Sequence, residues 1–303
     1  MSSAALLLLL VTASADRLQP GDHTRTLTVD ERERTYLVHV PKSYDDAKPM
    51  PVVLAFHGGG SNAEQMVRFC GLNGKADEAG FIAVYPNGTG LFPRTLTWNA
   101  GNCCGYGMRN KVDGVAFVRA LLNDLAKVAR IDKKRVYATG MSNGAMISYR
   151  LASGLSDRIA AIAPVAGPMG TETCSPKRPV SVMHFHGTDD EFAAFNGGPG
   201  PKSFSRTNFY SVEHSIQVWV KANGCPAEPK VAKEPDKADD GMTVTRKTYG
   251  PGRDGSEVVL LVIENGGHTW PGRGTPAKWL GKVTKDISAN DLMWEFFERH
   301  PMK

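Results

Sequence analysis

At 303 residues, with 41% hydrophobic and 22% charged residues, the chain has ordinary globular usage, which excludes a disordered chain and a coiled coil. That length can bury the core of one large α/β domain or of two small ones. The 36 Lys and Arg against 31 Asp and Glu leave a formal charge of +5, and its densest run, Lys133-Lys134-Arg135, reads as a solvated turn, so no nucleic-acid partner is expected.

The opening residues read as a leader. Residues 4–11 are apolar, too short a run to cross a bilayer at about 20 residues per span. Ala13-Ser14-Ala15 follows, the small-x-small pattern that signal peptidase cleaves, although no Lys or Arg precedes the run. The expectation is a signal peptide over 1–15, a catalytic domain over 24–303, and a secreted protein, extracellular or periplasmic, with no membrane segment in its mature form.

Residues 24–40 alternate and predict a hairpin. Residues 51–56 (PVVLAF) are continuously apolar, as a strand covered on both faces must be, which points to a parallel sheet between helices. A strand over 81–85 comes next. The clearest helix is predicted over 112–130, with Val115, Val118, Leu122, Leu125 and Ala129 at three-and-four spacing, Asn110 as N-cap and Asp113 as a first-turn acid. Strands over 135–139, 159–165 and 180–185, a helix over 145–155 and another over 212–222 follow. Residues 226–241 read as a surface loop. Strands over 243–249 and 257–263 and a helix over 289–299 close the chain. This alternation predicts a single domain with a doubly wound, mostly parallel sheet.

The strongest chemical signal is Gly140-Met141-Ser142-Asn143-Gly144 between a strand and a helix. Small flanking residues let strand and helix approach closely and lift the Ser142 hydroxyl above the sheet. A serine hydroxyl is nearly unreactive at neutral pH and needs a base, which itself needs an orienting acid. The α/β-hydrolase order is Ser, acid, His, each after a strand, and Asp190 and His268 supply that order. Asp189, Asp190 and Glu191 are consecutive, and Asp190 is chosen with Asp189 second. An oxyanion needs fixed N–H donors, for which Asn143 and a glycine of His57-Gly58-Gly59-Gly60 are placed, Gly59 ahead of Gly60. Those glycines lack the Lys and Ser/Thr of a phosphate-binding loop. His57 and His186 are expected to be structural. His184 and His186 share a strand face, but with no third ligand a metal pair is a weak reading.

Five cysteines, Cys70, Cys103, Cys104, Cys174 and Cys225, suit an exported chain, and the odd count leaves at least one without an intrachain partner. Without a C-x-x-C, neither a zinc ribbon nor a thioredoxin site is expected. Neighbours rarely bond to each other, so each of Cys103 and Cys104 could instead reach a distant partner such as Cys174 or Cys225, and the sequence leaves the connectivity open.

His57-Gly58-Gly59-Gly60-Ser61, Trp98-Asn99-Ala100-Gly101 with Cys103-Cys104-Gly105, the Ser142 pentapeptide with Ala145-Met146, His186-Gly187-Thr188-x-Asp190, and Gly266-Gly267-His268-Thr269-Trp270-Pro271-Gly272 together resemble one family. It is the secreted polyhydroxybutyrate depolymerase-like esterases, which include feruloyl esterases of carbohydrate esterase family one. The resemblance spans nearly all the chain after the leader. It implies an α/β-hydrolase fold, Ser142 as nucleophile, Asp190 as acid, His268 as base, and no metal or organic cofactor. Cys70 lies outside these blocks and is the candidate unpaired thiol. Trp270 is expected either to stack on an aromatic acyl group or sugar or to pin the His268 loop, and Trp98 with Phe92 to form another wall. The chain's length leaves no room for a module that binds solid polyester, which favours a soluble ester, feruloylated or acetylated wall oligosaccharides ahead of hydroxyalkanoate oligomers. A serine peptidase on the same scaffold and a non-catalytic binding protein are the rival classes. No oligomeric state is implied.

Overall fold

The continuous run Met50–Phe56 forms β3, an interior strand of the ten-stranded sheet, and its side chains alternate between two cores. Val52, Leu54 and Phe56 face one, Val53 and Ala55 the other. The computed structural model describes residues 17–274 and 277–303, so the expected leader over 1–15 lies outside the described residues.

The chain opens with a hairpin of β1 (Gly21–Val29) and β2 (Arg32–Val40), joined through Asp30 and Glu31, both at positive φ as a primed two-residue turn requires. Leu18 already packs into the core, so ordered structure begins before residue 24. After β3 come two helices absent from the sequence reading, α1 (Ala63–Cys70) and α2 (Leu72–Ala79), the first capped by the Asn62 side chain and the two separated by Gly71 in the left-handed region. β4 (Ile82–Pro86) and the short α3 (Gly105–Arg109) precede α4 (Gly114–Val128). Asp113, not Asn110, is the N-cap of α4: its carboxylate accepts from the N–H groups of Val115 and Ala116, while Asn110 ends α3.

β5 (Ile131–Met141), α5 (Asn143–Gly154), β6 (Ala161–Val165) and β7 (Ser181–Gly187) follow. A long excursion carries the two-residue strands β8 (Gly198–Pro199) and β9 (Asn208–Phe209) before α6 (Val212–Asn223). The segment expected to be only a loop contains an edge strand, β10 (Lys230–Lys233), paired antiparallel to β11 (Thr243–Tyr249). All four β10 residues are exposed, so no apolar alternation marks it in the sequence. β12 (Val258–Glu264) and α7 (Ala289–Arg299) complete the chain.

The sheet order is β1-β2-β4-β3-β5-β6-β7-β12-β11-β10, parallel from β4 through β12 and antiparallel at both margins. Residues of α4, α5 and α6 cover one face and those of α1, α2 and α7 the other. The observed architecture is therefore the doubly wound α/β sheet that the alternation implied, and β5, β7 and β12 end along one carboxyl edge.

Backbones meet most closely where β5 turns into α5. A Cβ on Gly144 would fall 2.1 Å from the Phe56 carbonyl oxygen, and one on Gly140 would fall 2.5 Å from that of Gly144. Gly144→Ala is expected to lower unfolding free energy by about 2–3 kcal/mol, because rigid backbone must move. Gly74→Ala, on the exposed face of α2 with open space around it, should instead raise stability by about 0.5–1 kcal/mol. Urea titrations of both variants check the opposite signs.

Candidate active site

Ser142 sits between the last residue of β5 and the first of α5 with φ 58° and ψ −119°, a conformation that costs a non-glycine residue roughly 1–3 kcal/mol. The surrounding contacts fix it. Its N–H donates to the Val165 carbonyl at 2.9 Å, and its own carbonyl accepts from Met146 N–H at 3.0 Å to start the helix. A Cβ on Gly167 would lie 2.3 Å from the Ser142 carbonyl oxygen, so a third glycine is needed against this turn. The Ser142 side chain remains partly exposed while its helix neighbours are buried.

Two backbone amides stand beside it. Asn143 opens α5, where the first N–H groups have no intrahelical acceptor. A Cβ built on Gly59 would lie 3.6 Å from that of Asn143, which makes these residues neighbours. Gly60 N–H is committed to the Leu96 carbonyl at 2.9 Å, which favours Gly59 of the two glycines as an oxyanion donor. The Asn143 side chain clamps the next loop: its Oδ1 accepts from Trp98 N–H at 2.7 Å and its Nδ2 donates to the Trp98 carbonyl at 3.1 Å.

Asp190 and His268 are joined directly, Oδ2 to Nδ1 at 2.7 Å. The Asp190 side chain is fully buried and its Oδ1 accepts from the N–H groups of Phe192 and Ala193 at 2.8 and 2.9 Å. Burial alone would raise the carboxyl. The charge of His268 and hydrogen bonds from His186 and His268 outweigh that and hold it well below the usual carboxylate range. Asp189 is exposed, so the choice between the two carboxylates falls on Asp190. Ser142 stands on the same sheet edge with β6 and β7 between its strand and β12. No hydrogen bond joins Ser142 to His268 among the described residues. Bonds of this kind commonly tighten only when substrate binds.

The remaining sequence candidates serve as frame. His57 is buried; its Nε2 accepts from Gly88 N–H at 3.0 Å, which leaves Nδ1 to donate to the Gly58 carbonyl at 2.8 Å. Trp98, 2% exposed, donates its indole N–H to the His57 carbonyl at 3.1 Å, and Trp270, 1% exposed, donates to Asn290 Oδ1 at 2.9 Å. Burial leaves neither ring a face for a ligand, which corrects the expected wall at Trp98 to a structural strut and favours the second of the two roles expected for Trp270, a structural pin. His184 and His186 hydrogen-bond each other.

Cys103 and Cys104 are bonded to each other rather than to distant partners. Their loop closes locally, with Ala100 N–H on the Cys103 carbonyl and Cys104 N–H on the Trp98 carbonyl. Cys70, Cys174 and Cys225 are thiols.

Three aromatic residues that sequence reasoning missed form a cluster that reaches the candidate base through Phe192. The Phe192 ring lies 5.1 Å from that of His268 and 5.3 Å from Trp279, and Phe204 lies 6.2 Å from Phe192. Phe204 is 90% exposed and Trp279 56%. Their one signal was position: Phe192 follows Asp190 by two residues, and Trp279 belongs to the loop after His268.

A strained serine turn, a buried carboxylate–imidazole pair and paired free amides on one edge of this sheet define an α/β-hydrolase site, and the comparisons agree in class: the protein is a carboxylic ester hydrolase. A model of the family described as esterase PHB depolymerase matches residues 35–208. The chain is 30% identical over 285 residues to the putative esterase NocK of Nocardia uniformis subsp. tsuyamanensis, covering 90% of this chain and 81% of that protein. It is 29% identical over 241 residues to feruloyl esterase B of Piromyces equi, covering 78% of this chain but only 42% of that longer protein. An acetyl xylan esterase from Aspergillus awamori shares the fold with a TM-score of 0.58 over 91% of this chain and 99% of that one, at 14% identity. The chain belongs to the esterase PHB depolymerase family.

Burial holds the His57 pKa down at about 4, partly opposed by its bond to the Gly58 carbonyl. A histidine depressed on folding stabilises fully above its unfolded value near 6.5 and loses that contribution as pH falls toward 4, about 3 kcal/mol in all. Urea midpoints should therefore drop between pH 6.5 and 4, and less steeply in His57→Gln, whose amide oxygen can still accept from Gly88.

Proposed function

We propose that this chain is an exported serine esterase that releases hydroxycinnamate from plant cell-wall esters through an acyl-enzyme at Ser142. The buried Asp190–His268 pair, on the same sheet edge as the strained Ser142 turn, carries the catalytic part of this reading. Ser142 Oγ attacks the ester carbonyl while His268 Nε2 takes its proton, and Asp190 keeps the Nδ1–H tautomer in place. Negative charge moves to the carbonyl oxygen, where the Gly59 and Asn143 amides meet it, a contribution of about 2.7–4 kcal/mol per donor. The alcohol leaves with the proton held by His268, and water repeats the sequence to free the acid.

The exposed Phe204 and Trp279, packed on the Phe192 ring that adjoins His268, favour an ester that presents a flat ring. The name of the Piromyces equi relative points the same way. Acetylated xylan and hydroxybutyrate oligomers are the alternatives on the same residues; a bifunctional acetylxylan esterase/xylanase of Neocallimastix patriciarum is 27% identical over 234 residues, 77% of this chain and 31% of that protein. The peptidase reading gains no support beyond fold, since the likeness to a putative dipeptidyl aminopeptidase IV from Bacteroides ovatus is at 13% identity. Export rests on the apolar run and small-x-small pattern at the start of the sequence.

Ser142→Ala is expected to stay folded and to lose all turnover of methyl ferulate, and retained activity would refute the nucleophile. Phe204→Ala and Trp279→Ala should each raise KM for methyl ferulate about tenfold, equivalent to about 1.4 kcal/mol, while leaving p-nitrophenyl acetate within about twofold. A panel of methyl ferulate, acetylated xylan and hydroxybutyrate oligomers ranks the substrates, and preference for either of the latter two would redirect the specificity.

A further inference from the structure

Behind the candidate acid runs a buried chain of hydrogen bonds that the acyl-transfer steps do not use. Tyr149 hydroxyl meets His184 Nδ1 at 2.9 Å, and His184 Nε2 meets His186 Nδ1 at 2.9 Å. His186 Nε2 then faces two acceptors, the Ala193 carbonyl at 2.7 Å and Asp190 Oδ2 at 3.3 Å. Tyr149, His184 and His186 are all buried, so water is not an alternative partner.

The far end of the chain sets its direction. A carbonyl and a carboxylate accept only, so His186 Nε2 must carry a hydrogen. In a neutral ring Nδ1 is then bare and accepts from His184 Nε2–H, which leaves His184 Nδ1 to accept from the Tyr149 hydroxyl. Burial lowers His184 well below its ordinary value and so favours its neutral ring. Every link is satisfied in one arrangement and no proton need move. Ala193 ties the result to the acid loop: its carbonyl accepts from His186, and its N–H donates to Asp190 Oδ1 at 2.9 Å.

We propose that His186, held as the Nε2–H tautomer by Tyr149 and His184, is a positioning residue that fixes the Asp190 carboxylate and the 190–193 turn, and through them the ring of His268. This rests on the esterase reading, in which Asp190 orients the base.

The test combines kinetics with nuclear magnetic resonance of the histidine protons in the full chain. His186→Phe keeps a ring but removes the donor; kcat for p-nitrophenyl acetate is expected to fall about tenfold, the size found for outer hydrogen bonds behind metal-binding histidines, with KM within about twofold. The downfield proton on His268 Nδ1 should shift or broaden. His186→Gln, whose amide N–H reaches a similar place, should restore most of the rate and the proton signal. Unchanged kcat and an unchanged His268 proton in folded His186→Phe would overturn the proposal. So would finding His186 in the wild type as the Nδ1–H tautomer or as imidazolium. Where His186→Phe does not fold, the reciprocal variant decides: Asp190→Asn should move the His186 Nε2–H resonance, and a resonance left in place overturns the shared bond. Absence of esterase turnover in the wild type would instead refute the triad reading, while the two resonance measurements would still decide what His186 holds.

Discussion

A carboxylate withdrawn from water is stable only when donors replace its hydration, and Asp190 is met by two backbone N–H groups and two imidazoles. The donors come from different parts of the chain. Those of Phe192 and Ala193 belong to its own turn, that of His186 to β7, and that of His268 to the loop after β12. The charge therefore holds together two adjacent parallel strands and the turn between them and the cleft. Its pKa, held well below the usual carboxylate range, follows from the same contacts.

The other half of the site depends on the near contact of backbones at Gly140, Gly144 and Gly167. With Cβ atoms at those positions the elbow would have to open, and Ser142 would relax out of its positive φ. Once it is closed, Asn143 begins a helix at the point where its side chain can reach both the N–H and C=O of Trp98. Trp98 in turn holds the His57 carbonyl, and His57 fixes Gly58 and Gly88 through its two nitrogens. The glycine turn with the candidate oxyanion donor is thus braced by the residue next to the nucleophile. The amide nitrogens are preorganised by groups that never touch substrate, which is how such donors contribute without reorganising during reaction.

Much of this was legible from the sequence because it repeats a strong local pattern. Continuous apolar runs marked the buried strands β3, β4, β6, β7 and β12, and the glycines around Ser142 and the two later loops supplied the candidate site in chain order. What escaped notice had no such pattern. α1 and α2 are eight residues each and separated only by Gly71, so neither spans enough turns for a period to emerge. β10 exposes every side chain and is held by pairing alone. The cap of α4 moved from Asn110 to Asp113 because both suit the role chemically and only the chain path separates them. The Cys103–Cys104 bond depends on how one loop folds back on itself, which cysteine spacing does not encode.

Aromatic residues divide along a line that composition does not reveal. The tryptophans at 98 and 270, prominent because they adjoin recognisable motifs, each carry an indole N–H that must find a partner when buried, and each finds one within the frame. That anchoring fixes the ring and removes its faces from any ligand. Phe204 and Trp279 lie outside every motif, and their rings sit at the surface against Phe192, which itself adjoins His268. A large apolar ring left in water at a loop tip gains nothing for folding, whereas next to a reacting centre its burial by a substrate adds to binding. The motif residues therefore hold the frame of the candidate site, and the exposed rings lie where the motif does not constrain the sequence. The loops between β7 and α6 and after β12 are where sequence can change without disturbing the buried carboxylate or the glycine-packed turn.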